Sequence, residues 1–343
     1  MTLLVRDEAD VLDAQIAHHL QAGVDFVIAT DHGSRDGTTE ILERYARGGR
    51  LHLIHEDTEM LLDGEWRNAM ARRAAVEFGA DWVISSDADE FWWPRGGDLK
   101  EVLAAVPARF GSLGCLWRNF PYRPGDAVFA ERMTARLSLR APLNDETGPY
   151  HVNMKMAFRG DPNVELQGGQ HDVHRHALPR IREWYPIDVL HFPIRSREQC
   201  KRKFVAAGAG LAKAAAAGRS DRLLSRHRVA GYRAAREGRL DEWLARWTVD
   251  DDVLARGVDE GWLAEDTRVR DMVRALGDGA STAPLFPSTA PDDSAYIDDA
   301  SRLAEGDATV RAALRVDALE RRIAALDSEL SMPLTVRRRR ASA

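Results

Sequence analysis

The chain has 343 residues, of which 44% are hydrophobic and 30% charged, and its formal net charge is −6. These values are typical of a globular protein and exclude wholesale disorder. The negative balance gives no electrostatic basis for binding nucleic acid, which usually requires a basic face. The length suits one large α/β domain with helical additions, or two domains.

Only two cysteines occur, Cys115 and Cys200. This count excludes a disulfide framework and favours a reducing compartment. No apolar run reaches the roughly 20 residues that cross a bilayer, and the N-terminus has no apolar signal-peptide core. We expect a cytoplasmic protein without a transmembrane segment, with peripheral attachment to the inner face of the membrane as an alternative.

Short apolar runs alternate with amphipathic stretches at the start of the chain. The pattern predicts strands at 3–5, 24–29, 51–55 and 82–84 and helices at 11–21, 38–47 and 65–78. The second strand is apolar throughout, which is typical of a strand buried on both faces. This alternation predicts an α/β fold, with a mainly parallel sheet and helices on both faces.

Strand-like segments dominate the middle of the chain, and helical patterns follow them. Strands predicted at 114–120, 128–139 and 152–159 indicate an antiparallel extension that makes the sheet mixed, and a further strand is predicted at 187–193. Ser196 opens a helix through a capping-box pattern. The predicted divisions are 1–205 (main domain), 206–279 (helical extension packed on it), 280–295 (linker), 296–330 (helical segment) and 331–343 (disordered basic tail). The near-heptad leucines of the last helix could pair two copies or fold back.

Polar residues follow three of the predicted strands. Arg6 and Glu8 come after the first strand, Asp31 after the second, and Asp87 and Asp89 after the fourth. In an open parallel sheet, the ligand crevice lies beyond the carboxyl ends of the strands. These side chains are therefore predicted to converge on one site.

Asp87 and Asp89 are separated by one small residue. In an extended segment, alternation points both carboxylates the same way. Two oxygen ligands at this spacing suit Mg²⁺ or Mn²⁺, which complete their coordination with phosphates and water. The alternative is an ordinary turn, in which Asp is common.

Four other residues have one functional and one structural interpretation each. Asp31 could accept hydrogen bonds from a base or ribose, or hold an Asx turn. Arg67 could reach a diphosphate, or lie on a solvated helix face. His191 ends a strand and could complete a metal site, or serve the structure alone. Lys203 belongs to a cationic helix that could stabilise a departing nucleoside diphosphate, or form a basic surface.

The segment 168–176 is dense in residues able to do chemistry. Asp172 or His171 is a candidate general base. His171, His174 and His176 are also close enough in sequence to suggest a second metal site, but they lack the spacing of a zinc motif.

Four segments, in order, resemble glycosyltransferase family 2, and most closely its branch with an Asp-Ala-Asp-Glu-Phe signature: residues 3–10, 30–38, 79–91 and 191–204. The resemblance implies a GT-A fold, a nucleotide-sugar donor, a divalent metal and inversion at the anomeric carbon. It also implies that Asp31 contacts the base or ribose, that Asp89 lies nearest the metal, and that His191 is a late metal or diphosphate ligand. The Glu-Asp pair that often supplies the base in this family is replaced here by His171 and Asp172.

The sequence thus predicts a Mn²⁺- or Mg²⁺-dependent glycosyltransferase with an undetermined acceptor: a glycan, a lipid-linked sugar or a small molecule. The alternatives are a nucleotidyltransferase or nucleotide-sugar mutase on a similar sheet, and a non-catalytic sugar-binding protein that dimerises through its C-terminal helix. The assigned residues are Arg6, Glu8, Asp31, Arg67, Asp87 and Lys203 for the nucleotide sugar, Asp87, Asp89 and His191 for the metal, and Asp172 and His171 for catalysis.

Overall fold

The computed structural model describes residues 1–58, 63–106, 108–145, 148–181, 185–216 and 226–277. Its strands are β1 Thr2–Val5, β2 Val27–Asp31, β3 Leu51–His55, β4 Trp82–Ser86, β5 Glu90–Pro94, β6 Ser112–Asn119, β7 Ala135–Leu137, β8 Met154–Arg159, β9 Glu165–Leu166, β10 Val173–Arg175, β11 Ile187–His191 and β12 Leu263–Glu265. Its helices are α1 Ala9–Gln21, α2 Thr38–Arg47, α3 Asp63–Val76, α4 Leu99–Ala104, α5 Phe129–Arg132, α6 Arg197–Ala216, α7 Arg226–Arg236, α8 Leu240–Ala245, α9 Asp251–Asp259 and α10 Arg268–Gly277.

Eight strands form one continuous sheet in the order β3-β2-β1-β4-β8-β6-β11-β5. The first four strands pair in parallel. Strand β8 then runs antiparallel to both β4 and β6, β11 is parallel to β6, and β5 closes the edge antiparallel to β11. The prediction of an α/β fold with a mixed, mainly parallel sheet is confirmed. One sheet joins a parallel N-terminal half to an antiparallel extension.

Helices cover both faces of the sheet. On one face, Leu12 and Ile16 of α1 pack with Leu3 of β1. On the other face, Met70 and Ala71 of α3 join a second apolar cluster that includes residues of β2, β4 and β8. Successive residues of a strand point to opposite faces, so each central strand contributes to both layers.

The C-terminal part of the described chain is mainly helical, as expected, from α6 to α10. Ser196 caps α6, since its Oγ accepts the backbone N–H of Gln199 at 3.0 Å. Helix α6 crosses the predicted boundary at residue 205, and Val269 and Met272 of α10 pack into the core around β1. The predicted linker, C-terminal helix and tail lie outside the described residues, so the domain division stays a prediction. None of the described helices has the length and apolar character needed to span a membrane.

Two predicted details of secondary structure are wrong. The strand predicted at 128–139 is a short helix, α5, followed by the three-residue strand β7. Strand β5 was not expected at all, because Glu90–Pro94 is short and shows no alternation of polar and apolar residues. Four of its five residues are buried, and burial on both faces removes the period-two signal.

Two fully buried histidines join α1 to β5. His19 Nδ1 bonds the carbonyl oxygen of Gln15 at 2.7 Å, and His19 Nε2 accepts the backbone N–H of Trp92 at 3.2 Å. His18 Nε2 donates to the carbonyl oxygen of Trp92 at 3.0 Å. The His19 ring donates through one nitrogen and accepts through the other, so it is neutral.

Acidification is expected to destabilise this junction. Burial lowers the pKa of His18 from 6.5 to about 4 and holds that of His19 well below 6.5. As the pH falls below 6.5, the unfolded chain takes up protons that the folded chain excludes, so the free energy of unfolding decreases. His18 alone should contribute about 2 kcal/mol of this loss between pH 6.5 and pH 5.

Urea unfolding at both pH values should show a smaller pH-dependent loss for His18→Gln than for the unmodified chain. The control is His174→Gln at an exposed position, which should leave the loss unchanged. An equal loss in all three proteins would contradict the prediction.

Candidate active site

The candidate site lies at the edge of the sheet where β4, β6 and β11 end. In the strand register, His191 of β11 is paired with Asn119 of β6 on one side and with Glu90 of β5 on the other. A turn connects β4 to β5 and contains Asp87 and Asp89. Strand pairing therefore brings together residues that are far apart in the sequence.

Asp87 and Asp89 do not point the same way, as an extended segment would require. Residues 87–89 form a turn, closed by a 3.3 Å hydrogen bond from Glu90 N to Asp87 O. The two carboxylates consequently have different partners. Asp87 accepts from Arg67 Nη2 and from Lys155 Nζ, each at 2.6 Å.

Asp89 faces a different set of groups. Its Oδ2 accepts a hydrogen bond from Lys203 Nζ and lies 3.9 Å from Arg195 Nη1, while its Oδ1 lies 3.8 Å from His191 Nε2. Burial opposes ionisation of Asp89, but nearby positive charge, that of Lys203 above all, outweighs it and lowers the pKa of this carboxyl group to about 2. Asp89 is therefore a buried carboxylate anion near neutral pH.

Asp89, Glu90 and His191 form a candidate metal centre. One ligand atom from each lies within 4.8 Å of the others, and all three residues are buried. Carboxylate oxygen with imidazole nitrogen is a donor set that suits Mn²⁺ well, whereas Mg²⁺ prefers oxygen alone. Asp87 lies outside this group, and Glu90, which the sequence does not single out, lies within it.

Glu90 is already held by four donors. Its Oε1 lies 2.9 Å from Trp117 Nε1 and 3.1 Å from Lys155 Nζ, and its Oε2 accepts from Asp87 N at 3.0 Å and Ser86 Oγ at 3.4 Å. Burial raises the pKa of Glu90 to about 7. By contrast, neither Asp89 Oδ1 nor His191 Nε2 accepts a hydrogen bond from the residues described here. These two atoms are the ones free to bind a cation.

Arg195 connects the candidate metal centre to the segment that follows the first strand. It is almost fully buried and forms ion pairs with Glu8 and with Asp10, the latter at 2.7 Å. Burial raises the pKa of Glu8, and Arg195 opposes that effect. Glu8, a predicted nucleotide-sugar ligand, is thus engaged with a cation that also approaches Asp89.

A cavity of about 430 Å³ opens beside this network, between the ends of the first three strands and α6. It is lined by Arg6, His32, Gly33, Ser34, Arg35, Glu56, Asp57, Thr58, Ala206, Ala209 and Gly210. Arg6 Nε is buried and has no hydrogen-bond partner among the described residues. Arg6 Nε also lies 3.9 Å from Asp7 Oδ2, and the Arg6 side chain places positive charge on the wall of the cavity.

Asp31 organises the loop that forms one wall of this cavity. Its Oδ1 accepts from the backbone N–H and the hydroxyl of Ser34, at 3.0 and 2.6 Å, and its Oδ2 accepts from Thr39 Oγ1 at 2.5 Å. This is the Asx-turn role that the sequence left open. A role in contacting a base or ribose stays a prediction.

Arg67 lies in α3 and bridges two carboxylates, Asp63 and Asp87. Its side chain is only 7% exposed, so the solvated-face alternative does not apply. Lys203 Nζ donates to Asp89 Oδ2, and the lysine side chain keeps 32% of its surface exposed.

The predicted base candidates occupy different environments. His171 Nδ1 bonds the carbonyl oxygen of Met154 at 2.9 Å, and burial, followed by the charge of Lys155, lowers the pKa of its ring to about 3. Asp172 is half-exposed, and its Oδ1 lies 3.6 Å from Arg180. No metal-binding group of His171, His174 and His176 forms among the described residues, and His176 instead bonds backbone carbonyls.

The first comparison is with protein families. Residues 4–116 match the sequence model of glycosyltransferase family 92. This match contains the Asp31 loop and the Asp87–Glu90 turn, and it makes this part of the chain glycosyltransferase-like. The class of enzyme expected from the motifs is supported, while the assignment to family 2 stays a prediction. No curated protein matches the chain.

Solved structures give partial similarities. The Staphylococcus aureus TarS 1–349 complex with UDP shares 14% identity at a TM-score of 0.35, over 60% of this chain and 64% of TarS. Glucosyl-3-phosphoglycerate synthase from Mycobacterium tuberculosis, in complex with Mn²⁺, UDP and glucosyl-3-phosphoglycerate, shares 18% identity at a TM-score of 0.25, over 46% of this chain and 55% of that enzyme. Each match covers less than two thirds of the solved protein. The function proposed below therefore depends on this chain's own residues and on the family match.

Proposed function

We propose that this chain is a metal-dependent glycosyltransferase that moves a sugar from a nucleotide-sugar donor to an acceptor hydroxyl group with inversion. One observation carries the proposal. Asp89 Oδ1 and His191 Nε2 face each other at 3.8 Å, and no described residue donates a hydrogen bond to either atom. A carboxylate oxygen and an imidazole nitrogen directed at the same position form a ligand pair that suits a divalent cation.

The residues present fit a divalent ion. Asp89 and His191 would hold it, with Glu90 close by, and the donor's diphosphate would complete the coordination, as is usual for Mn²⁺ and Mg²⁺ sites that use few protein ligands. When bound, the ion would neutralise charge on the diphosphate. The imidazole favours Mn²⁺ over Mg²⁺.

The protein's own cations are placed to stabilise charge on the leaving group. Lys203 and Arg195 both approach Asp89, so their charges lie beside the expected diphosphate. Fixed cations in a buried site stabilise charge that develops on a leaving group. Arg6 and the cavity next to it are the proposed binding region for the rest of the nucleotide.

Inversion requires a base on the acceptor side of the sugar. Asp172 is the proposed base, because its side chain is half-exposed and can be reached by an acceptor hydroxyl group. His171 is less suitable, because its Nδ1 is bonded to the carbonyl oxygen of Met154 and burial lowers the pKa of its ring to about 3.

Thermal unfolding with nucleoside diphosphates and nucleotide sugars tests the proposal. With Mn²⁺ present, at least one nucleotide at about 100 times its Kd should raise the Tm by about 4 °C or more, because ligand binding stabilises the folded state. Asp89→Asn should lose this shift. The control is Asp25→Asn, whose carboxylate is exposed and pairs with Lys100, and it should keep the shift.

Two results would contradict the proposal. If no nucleoside diphosphate shifts the Tm in the presence of Mn²⁺, a non-catalytic sugar-binding protein becomes the better hypothesis. If the chain consumes nucleoside triphosphates and releases pyrophosphate, it is a nucleotidyltransferase.

A further inference from the structure

Strand β6 supplies two side chains that surround His191 without facing the cation position. Trp117 stacks on the imidazole, with ring centroids 4.1 Å apart and ring planes within 14° of parallel. Asn119 Oδ1 lies 2.7 Å from His191 Nδ1. The two residues alternate along one strand, so both point to the same side of the sheet.

The orientation of the Asn119 amide is fixed by its other end. Its Nδ2 donates to the carbonyl oxygen of Tyr150 at 3.1 Å and to that of His151 at 3.3 Å. Carbonyl oxygens only accept hydrogen bonds, so the NH₂ group must face them. The amide oxygen is then the atom that faces His191.

This orientation determines which imidazole nitrogen carries the proton. An amide oxygen accepts and does not donate, so His191 Nδ1 must donate to Asn119. In the neutral ring, Nε2 then has a lone pair, and it is Nε2 that faces Asp89. A ring protonated on both nitrogens would add a third cation beside Lys203 and Arg195, and its Nε2 would be 3.8 Å from Asp89, beyond hydrogen-bonding distance.

We propose that Asn119 is a positioning residue that holds His191 in its Nδ1–H tautomer and thereby presents Nε2 to a divalent cation. This inference depends on the proposed function. Mutation of a residue that bonds the other ring nitrogen of a metal-binding histidine typically changes metal affinity 10- to 100-fold. Trp117 complements the effect by fixing the plane of the ring, while its indole N–H holds Glu90.

The tautomer can be measured in the unmodified protein without metal. Long-range ¹H–¹⁵N NMR correlations of histidine rings distinguish Nδ1–H from Nε2–H forms, and His191→Gln identifies the signal. We expect the Nδ1–H form for His191. An Nε2–H form would overturn the inference.

The effect on metal binding is tested with Mn²⁺ alone, by following the EPR signal of the free ion during titration. Asn119→Leu removes the acceptor and should weaken Mn²⁺ binding at least about 10-fold. Asn119→Asp keeps an acceptor for Nδ1 but loses the N–H groups that hold residues 150 and 151, so it should retain affinity while losing stability. The control is Asn144→Leu, which removes an amide that bonds a loop carbonyl, that of Ser138, and should leave affinity unchanged.

The outcomes separate this inference from the proposed function. If the unmodified chain binds no Mn²⁺, metal dependence itself is wrong. If it binds Mn²⁺ and Asn119→Leu binds equally well, only the role of Asn119 is wrong. If Asn119→Leu does not fold, Asn119→Asp is the variant that tests the inference. Loss of Mn²⁺ affinity in Asn119→Asp would show that Asn119 acts through the backbone of residues 150–151 and not through His191.

Discussion

Replacing Asp89 with Asn is expected to lower kcat/KM for sugar transfer by about 10²- to 10³-fold, the usual effect of removing one preorganised electrostatic group from an active site. The amide has nearly the shape of the carboxylate but carries no charge. It would bind a divalent ion weakly and would leave Lys203 and Arg195 without their shared counter-charge. The measurement is initial rate against nucleotide-sugar concentration at several Mn²⁺ concentrations.

Asp87→Asn provides the matched comparison. Asp87 is engaged by Arg67 and Lys155 and lies outside the group of Asp89, Glu90 and His191. Its replacement should lower stability but change the apparent Kd for Mn²⁺ far less than Asp89→Asn does. If Asp87→Asn abolishes Mn²⁺ binding and Asp89→Asn does not, the assignment of ligands is wrong.

The parallel half of the sheet follows closely from the sequence. The predicted limits of helix 38–47 and strand 51–55 coincide with α2 and β3. Helix α2 is strongly amphipathic and buries Leu42, so the local pattern of the sequence agrees with the tertiary environment there. The convergence of the strand ends on one edge could also be predicted from the sequence, since it is a property of parallel sheets.

The inner part of the site could not be predicted in this way. Lys155 and Asn119 lie in strands whose partners are set by register and not by any local motif. Glu90 directly follows the Asp-Ala-Asp segment in the sequence. Only the turn at 87–89 gives its carboxylate different contacts from those of Asp87. The sequence pattern indicates the cationic helix as the source of positive charge. In the structure, Arg195, which lies before that helix, is the residue buried beside Asp89.

Arg195→Met is expected to have the largest effect on stability, with a loss of about 3–5 kcal/mol in the free energy of unfolding. Arg195 is 1% exposed, and its removal would leave the carboxylate of Glu8, whose side chain is 13% exposed, without its ion-pair partner. The control is Arg197→Met, two residues further along. Arg197 pairs with Asp241 at the surface, where the side chains are 48% and 65% exposed, so its loss should cost less than about 1 kcal/mol.

A double mutant separates the loss of the Arg195–Glu8 ion pair from the loss of packing around Arg195. Glu8→Gln removes the charge that Arg195 neutralises, so combining it with Arg195→Met should restore part of the lost stability in urea unfolding. Residues in one ion-pair network show coupling energies of about 0.5–3 kcal/mol, whereas independent sites add. Additive losses in the double mutant would mean that Glu8 is not held by Arg195. A favourable coupling would mean that the loop after β1 is fixed to the metal centre by charge, and that the first and last motifs of this chain form one electrostatic unit.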